Sequence, residues 1–141
     1  MKNLIILLSL VVGFTTTMSA QAEKTLVKSV ALTASNSASV RLPGKVSVST
    51  WDNDFIRVTT HLKVDNMNEN IVKQLVILGR YTLSSELDAT TGILMITLPK
   101  VVNQVTVKGA LLVEHLSFEI NAPEGYQVII EEEPDHSSES M

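Results

Sequence analysis

Size and charge exclude several classes of protein before any motif of this chain is considered. The sequence has 141 residues, no cysteine, and 15 Asp and Glu against 11 Lys and Arg, for a formal net charge of −4. A chain of this length has material for one hydrophobic core, and without cysteine it forms no disulfide. Its acidic balance provides no basic stripe to neutralise phosphates, so we expect no nucleic-acid partner.

The first 22 residues have the pattern of an export signal. Lys2 precedes an apolar run over 4–14, and Ala20-Gln21-Ala22 places small residues where signal peptidase reads. The run is shorter than the roughly 20 residues that cross a bilayer. We therefore predict a signal peptide over 1–22, cleavage before Glu23, and no stable membrane insertion afterwards. No cysteine follows the run to carry a lipid anchor, and the absence of disulfides favours a bacterial periplasm or cell surface.

Strand patterns begin directly after this segment. Short ones cover 26–32 and 39–42, and the clearest covers 45–64. There, apolar and polar side chains alternate with the period of a strand that has one buried face, and a turn rich in Asp and Asn interrupts them. The pattern predicts a β-hairpin over 45–64. Its expected inward side chains are Ile56, Val58, Leu62 and Val64, and its expected polar side chains are Arg57, Thr59, His61 and Lys63.

One segment departs from the strand pattern. Apolar residues at 71, 72, 75 and 76 fall on one stripe of a helix, and polar residues able to cap it precede them. The spacing predicts a short helix near 68–77 that ends before Gly79. An extended conformation over 76–78 is the alternative.

Further strand patterns follow at intervals of about ten residues, with Gly and Pro between them. The run 92–98 predicts a strand covered on both faces or one at a subunit contact. The others cover 104–108, 112–120 and 126–130. These spacings predict an all-β fold, either a compact antiparallel β-sandwich or a short β-solenoid-like stack of hairpins. We expect a single all-β domain over 23–130 and a disordered acidic tail over 131–141, which holds five of the acidic residues.

No catalytic motif accompanies these strands. No Ser lies in a Gly-x-Ser-x-Gly elbow, and no metal-ligand spacing such as HExxH is present. His61 and His115 could share a metal ion with an acid if their strands are neighbours, although surface histidines are the simpler interpretation. A carboxylate pair for sugar hydrolysis could come from Glu86, Asp88, Glu114 and Glu119, but a chain of this size leaves little material to wall a deep cleft. We predict no catalytic residue, no cofactor and no metal site, and we expect the protein not to be an enzyme.

Two aromatic residues and an acidic turn are the candidate partner-binding residues. Trp51 and Tyr81 each begin or end a predicted strand, where an exposed ring can stack on a sugar or anchor a partner; the alternative is that they close the end of the core. Asp52 and Asp54 follow Trp51 and alternate with Asn53 like the start of a calcium loop, but the Gly and Glu of such a loop are absent. A turn is therefore the favoured interpretation. We predict Trp51, Asp52, Asp54 and Tyr81 as contacts for an envelope protein or a glycan.

Residues 44–58 resemble the signature of a known family. The run GKVSVSTWDNDFIRV is similar to the strand, "gWD" turn and strand that repeat in the putative-adhesin family of bacterial envelope proteins, the DUF4097 group related to head-GIN domains. Segments 79–81, 92–99 and 122–125 fit the way such chains continue. The resemblance implies export, an all-β body of stacked strands, and surface or periplasmic interaction without known catalysis.

A second resemblance covers residues 89–100. ATTGILMITLPK is similar to the stretch that closes the α-crystallin domain of small heat-shock proteins. In that family only a short tail follows the motif, whereas about thirty strand-forming residues follow it here and an export signal precedes it.

Three functional hypotheses follow from these observations. The first is an exported, non-catalytic β-domain that acts as a periplasmic or cell-surface interaction module of the adhesin type, with open strand edges such as 39–49 available to another chain. The second is an exported holdase chaperone of the small heat-shock type. The third is a small carbohydrate-active or metal-dependent enzyme, which rests only on scattered acids and two histidines.

Overall fold

Ten strands and one α-helix make up the part of the chain that the structure describes. The computed structural model describes residues 21–132, so the predicted signal peptide up to residue 20 and the predicted acidic tail from residue 133 lie outside the described residues. The helix α1 spans Glu69–Ile77, and a short 3-10 helix spans Pro99–Val102. The strands are β1 Ala22–Ala31, β2 Ser37–Arg41, β3 Lys45–Trp51, β4 Phe55–Val64, β5 Ser84–Asp88, β6 Ile93–Thr97, β7 Thr106–Val107, β8 Ala110–Leu111, β9 Glu114–Pro123 and β10 Gln127–Ile130.

Eight of these strands form two four-stranded sheets that pack face to face. The long sheet has the order β1-β4-β9-β3, and three of its strands are ten residues long. The short sheet has the order β10-β2-β6-β5, and β7 and β8 form a separate small hairpin. The predicted all-β sandwich is confirmed. Its pairing is mixed where antiparallel strands were predicted, because β3 runs parallel to β9 and β2 runs parallel to both β6 and β10.

Alternation along the strands builds the main core between the two sheets. Val58, Phe118 and Ile120 point inward from the long sheet and are at most 1% exposed. They meet Val40 and Ile96 of the short sheet, whose side chains are fully buried. Burying an aliphatic or aromatic side chain of this size contributes about 1.5–3 kcal/mol, so each of these five side chains stabilises the packing of the two sheets.

The apolar strand β6 is covered on one face only. Leu94 and Ile96 point into the core, whereas Met95 points outward and is 37% exposed. The strand nevertheless lies inside the short sheet, between β2 and β5. The prediction that this strand is covered on both faces is therefore wrong. The alternative, that its outer face makes a subunit contact, stays a prediction.

The helix α1 packs against the other half of the long sheet and forms a second core. Asn68 caps it, because its Oδ1 accepts a hydrogen bond from the backbone N–H of Ile71 at 2.9 Å. Val72 and Leu75 on its buried face belong to one cluster with Val64 at the end of β4. The helix predicted from the apolar stripe is confirmed. The long strands thus cover the short sheet along one half and α1 along the other.

The predicted hairpin over 45–64 is wrong in its pairing. Both of its strands exist, as β3 and β4, but β9 lies between them and pairs with each. The turn over 52–54 therefore passes beside Pro123 at the end of β9. Alternation identifies a strand and its buried face, but it does not say which strand will be the neighbour. The predicted open edge over 39–49 is divided for the same reason: β2 is an inner strand, and β3 alone lies at an edge.

A buried ion pair ties the start of β9 to the segment after α1. The side chains of Arg80 and Glu114 are 8% and 10% exposed, and they form two hydrogen bonds, Nη2 to Oε1 at 2.5 Å and Nε to Oε2 at 3.1 Å. Arg80 Nη1 also donates to the backbone carbonyls of Lys100 and Asn103, at 3.3 and 2.9 Å. The hydrogen bonds that Arg80 donates to Glu114 raise the pKa of Arg80 above its ordinary value, so the guanidinium stays charged. The pair explains why an acid stands on the inward face of β9.

Candidate functional site

The outward side of the long sheet is a polar face. Strand alternation directs every second side chain of β3, β4 and β9 away from the core, and the register places these side chains in rows across the three strands. None of them is buried. The polar face consists of Lys45, Ser47, Ser49, Arg57, Thr59, His61, Lys63, His115, Ser117, Glu119 and Asn121.

A hydrogen-bonded row crosses the polar face near one end. Asn121 lies directly opposite Arg57 on one side and Ser49 on the other. Its Oδ1 accepts from Arg57 Nη2 at 3.1 Å and from Nε at 3.3 Å, and its Nδ2 donates to Ser49 Oγ at 2.8 Å. The row joins three strands and fixes the position of the Arg57 guanidinium.

Trp51 is held in place at the end of this row. Arg57 Cζ lies 4.7 Å from the centroid of the indole, in cation–π geometry. The indole Nε1 donates to the backbone carbonyl of Phe55 at 2.9 Å, and the two rings meet edge to face with centroids 4.9 Å apart. The half-buried ring is therefore oriented before any ligand arrives.

A shallow, open cleft of about 330 Å³ lies beside this ring. Two turns build it: the one between β3 and β4, and the one between β9 and β10. We call it the Trp51 cleft, and its lining residues are Trp51, Asp52, Asn53, Asp54, Pro123 and Glu124. Three carboxylates and an amide offer acceptors to hydroxyl or ammonium groups, and the indole offers an apolar surface. Three of the four residues predicted as contacts, Trp51, Asp52 and Asp54, thus line this cleft, and their contact with a partner stays a prediction.

The fourth, Tyr81, lies inside the protein. It is 4% exposed and belongs to the core formed with α1, not to the Trp51 cleft. Its hydroxyl has no hydrogen-bond partner among residues 21–132. Burial, and after it the neighbouring Glu114 carboxylate, raises the pKa of this hydroxyl. Tyr81 therefore occupies the alternative position considered in the sequence analysis, in which the ring closes the end of a core.

This burial makes stability depend on pH in the alkaline range. Because the pKa of Tyr81 is raised above its ordinary value of 10.0, the unfolded chain loses this proton before the folded chain does. The stability that comes from the protonated Tyr81 hydroxyl is therefore fully present below about pH 10. It is lost as pH rises further, and the free energy of unfolding then falls by at most about 1.4 kcal/mol per pH unit. We expect urea unfolding of the unmodified protein to show this loss and Tyr81→Phe to reduce it. Equal slopes for the two proteins would contradict the prediction.

The two histidines lie on neighbouring strands but have separate partners. His61 Nε2 is 3.2 Å from Glu119 Oε2, and His115 Nε2 is 2.5 Å from Asp65 Oδ2. The hydrogen bond from His115 lowers the pKa of Asp65. Within residues 21–132, no group of three His, Asp or Glu side chains is arranged to hold a metal ion.

The four acids considered for sugar hydrolysis do not converge. Glu86 and Asp88 lie on β5 of the short sheet, whereas Glu119 lies on the polar face of the long sheet. Glu114 is engaged by Arg80 inside the protein. These residues therefore provide no carboxylate pair across a substrate.

Sequence reasoning placed Arg57 on the polar side of its strand but missed the row that it forms with Asn121 and Ser49. The alternation of inward and outward positions along each strand could have indicated the row, since all three residues stand at outward positions. Their meeting depends on the insertion of β9 between β3 and β4, which no local pattern encodes.

Comparison with known proteins gives two distant structural matches. No family model matches the chain, and no curated protein matches it. A crystal structure described as a putative cell adhesion protein from Clostridium sporogenes is 16% identical, with a TM-score of 0.45, and the match covers 79% of this chain and 47% of that one. A structure described as a putative adhesin from Parabacteroides merdae is 13% identical, with a TM-score of 0.31, covering 77% of this chain and 35% of that one. This chain thus spans about half the length of the first and about a third of the second.

Among residues 21–132, no helix is long and apolar enough to cross a bilayer.

Proposed function

We propose that this protein is an exported, non-catalytic β-domain that binds a partner in the periplasm or at the surface of a bacterial cell. The observation that carries the proposal is the Trp51 cleft, where an immobilised indole stands beside three carboxylates on two adjoining turns. Loops at the end of a rigid sheet are a common place for binding residues, because the scaffold fixes them. Export rests on the signal-peptide pattern of residues 1–22.

The chemistry of the cleft favours a glycan ligand. Sugar rings present apolar C–H faces that pack on an indole and hydroxyls that donate to carboxylates and amides. Asp52, Asp54 and Glu124 supply such acceptors around Trp51. Because the ring is already oriented by Phe55 and Arg57, binding would require little ordering at the site.

Export and binding are tested on the same preparation. The full chain is expressed in a bacterium with its own first 22 residues, the envelope fraction is released by osmotic shock, and the mass of the purified protein is measured. We expect the protein in that fraction with Glu23 as its first residue. Recovery of the uncleaved chain from the cytoplasm would contradict export without bearing on the cleft.

Binding is then measured on an array of bacterial envelope glycans. We expect retention on a subset of glycans, with affinity reduced ten-fold or more by Asp52→Asn combined with Asp54→Asn. These exposed changes keep the size of each side chain, so an unchanged melting temperature confirms the fold. Ser47→Ala, elsewhere on the polar face, is the matched control and should bind normally. Capture of an envelope protein by the cleft instead of a glycan would change the ligand class, and no retention of either would contradict the proposal.

Light scattering on the same protein addresses the holdase alternative. A monomer or small oligomer is expected for a binding module. Large, polydisperse assemblies together with suppression of client aggregation would favour the chaperone of the second hypothesis.

A further inference from the structure

The free edge of β1 is a second surface, separate from the Trp51 cleft. β1 is the first strand of the long sheet and pairs with β4 alone. Among the described residues, no backbone group of residues 23–30 bonds to a turn or loop. Every second residue of such a strand directs its N–H and C=O away from the sheet, so this edge can accept another strand.

A groove runs along this edge, between β1 and α1. It consists of two adjoining hollows of about 250 and 300 Å³ that share Leu26 and Val76. We call it the β1 groove, and the residues that matter here are Lys24, Leu26, Lys28, Lys73, Val76 and Leu83. A strand added to β1 would place its alternate side chains in these hollows, because successive inward positions are roughly 6.6 Å apart.

The charge of the groove selects what can enter it. Lys24 and Lys28 flank Leu26 on the inward side of β1, and Lys73 adds a third ammonium group from α1. Lys24 Nζ lies 2.8 Å from Glu69 Oε1, and Lys28 Nζ donates to the backbone carbonyl of Leu83 at 2.7 Å. Three lysines thus line the groove against one acid. Inward-pointing lysines on an edge strand prevent indiscriminate pairing, so an added strand must bring its own carboxylates.

We propose that the β1 edge binds an extended acidic–apolar segment of a partner protein by β-strand addition. In such a segment, glutamates opposite Lys24 and Lys28 would pair with the two ammonium groups. A leucine between them would pack against Leu26 in the groove. A second copy of this chain fits less well, because symmetric antiparallel pairing about Leu26 places Lys24 directly opposite Lys28. The occupant is therefore a different sequence with the opposite charge.

The test uses a labelled synthetic peptide and the purified protein from the envelope fraction. The peptide has threonine at every second position, and the positions between are glutamate, leucine and glutamate in that order. One control peptide has the same composition without this alternation. A second control peptide has lysine in place of glutamate. We expect a saturable rise in fluorescence anisotropy with the first peptide only. Hydrogen exchange of residues 23–30 should slow on binding, whereas that of β3 at the opposite edge should not.

Protein variants locate the site. Val76→Glu and Lys28→Glu should each weaken binding ten-fold or more, and Lys45→Glu, a lysine on β3, is the matched control that should leave it unchanged. Asp52→Asn should also leave peptide binding unchanged, so this test does not depend on whether the Trp51 cleft binds a ligand. Should a variant fail to fold, the charge-reversed peptide still tests the charge argument on the unmodified protein. Equal affinity for all three peptides, protection of β3 in place of β1, or a dimer whose β1 edge is already protected would each overturn the proposal.

Discussion

Replacing Arg80 with methionine is expected to lower the free energy of unfolding by about 3–5 kcal/mol. The substitution leaves the Glu114 carboxylate, 10% exposed, without its cation, and it removes the donor to the carbonyls of Lys100 and Asn103. An uncompensated buried charge is among the most destabilising defects in a small domain, whose total stability is typically about 5–15 kcal/mol. Urea unfolding followed by the fluorescence of Trp51 measures the loss.

A matched arginine provides the control. Arg57→Met removes the same kind of side chain from the exposed polar face, where hydrogen bonds and ion pairs contribute little, and we expect it to cost about 1 kcal/mol or less. Replacing Arg80 and Glu114 together with methionine should recover most of the stability, because no charge is then left buried. If Arg80→Met were no more destabilising than Arg57→Met, the buried pair would not have the structural role assigned to it.

Gly44→Ala is the second substitution for which a large effect is expected, about 3 kcal/mol or more. Gly44 has φ +142°, and a Cβ built there lies 2.1 Å from the backbone carbonyl oxygen of Leu116. Leu116 immediately precedes Ser117, the partner of Lys45 at the start of the β3–β9 ladder. A methyl group therefore forces β3 away from β9. Thermal unfolding gives the loss, and faster hydrogen exchange in β3 shows where it acts.

Gly125→Ala separates the contact from the backbone strain. Gly125 also has a positive φ, of +84°, but a Cβ there meets no atom within 4 Å. Its substitution should cost only the strain of a positive φ, about 1–2 kcal/mol. Similar losses for the two variants would show that the approach of Gly44 to Leu116 is unimportant.

The sequence predicted local structure better than it predicted neighbours. Alternation over 55–64 identified β4 and both of its faces, and the apolar stripe identified α1 together with its end near Gly79. Both signals depend on one element and the side of it that is buried. The same alternation suggested that β3 and β4 pair with each other, which is wrong because β9, about 60 residues further along the chain than β4, is inserted between them. Strand partners depend on the whole fold, and turn residues can connect strands that never touch.

In the candidate site, too, the sequence predicted which residues are close in the chain but not which distant residues join them. Trp51, Asp52 and Asp54 are adjacent in the chain, so the sequence placed them together, and the structure adds Pro123 and Glu124 from a distant turn. Tyr81 could not be assigned in advance, because a tyrosine at the end of an element either faces solvent or closes a core. The partner of Glu114 was equally hidden, since Arg80 reaches it only after α1 has packed against the long sheet.

The parallel pairings of β3 with β9 and of β2 with β10 determine when the chain can fold. They join residues 45–51 to 117–123 and residues 37–40 to 127–130, so the early strands have no neighbour on that side until nearly the whole described chain is present. Contacts so distant in sequence form slowly, because long loops must close first. A chain that emerges from a ribosome or a translocation channel with its N-terminus first therefore completes neither sheet until its last strands have emerged. In the meantime the apolar side of β2 stays exposed, and exposed apolar surface of this kind favours aggregation until the C-terminal strands have joined the two sheets.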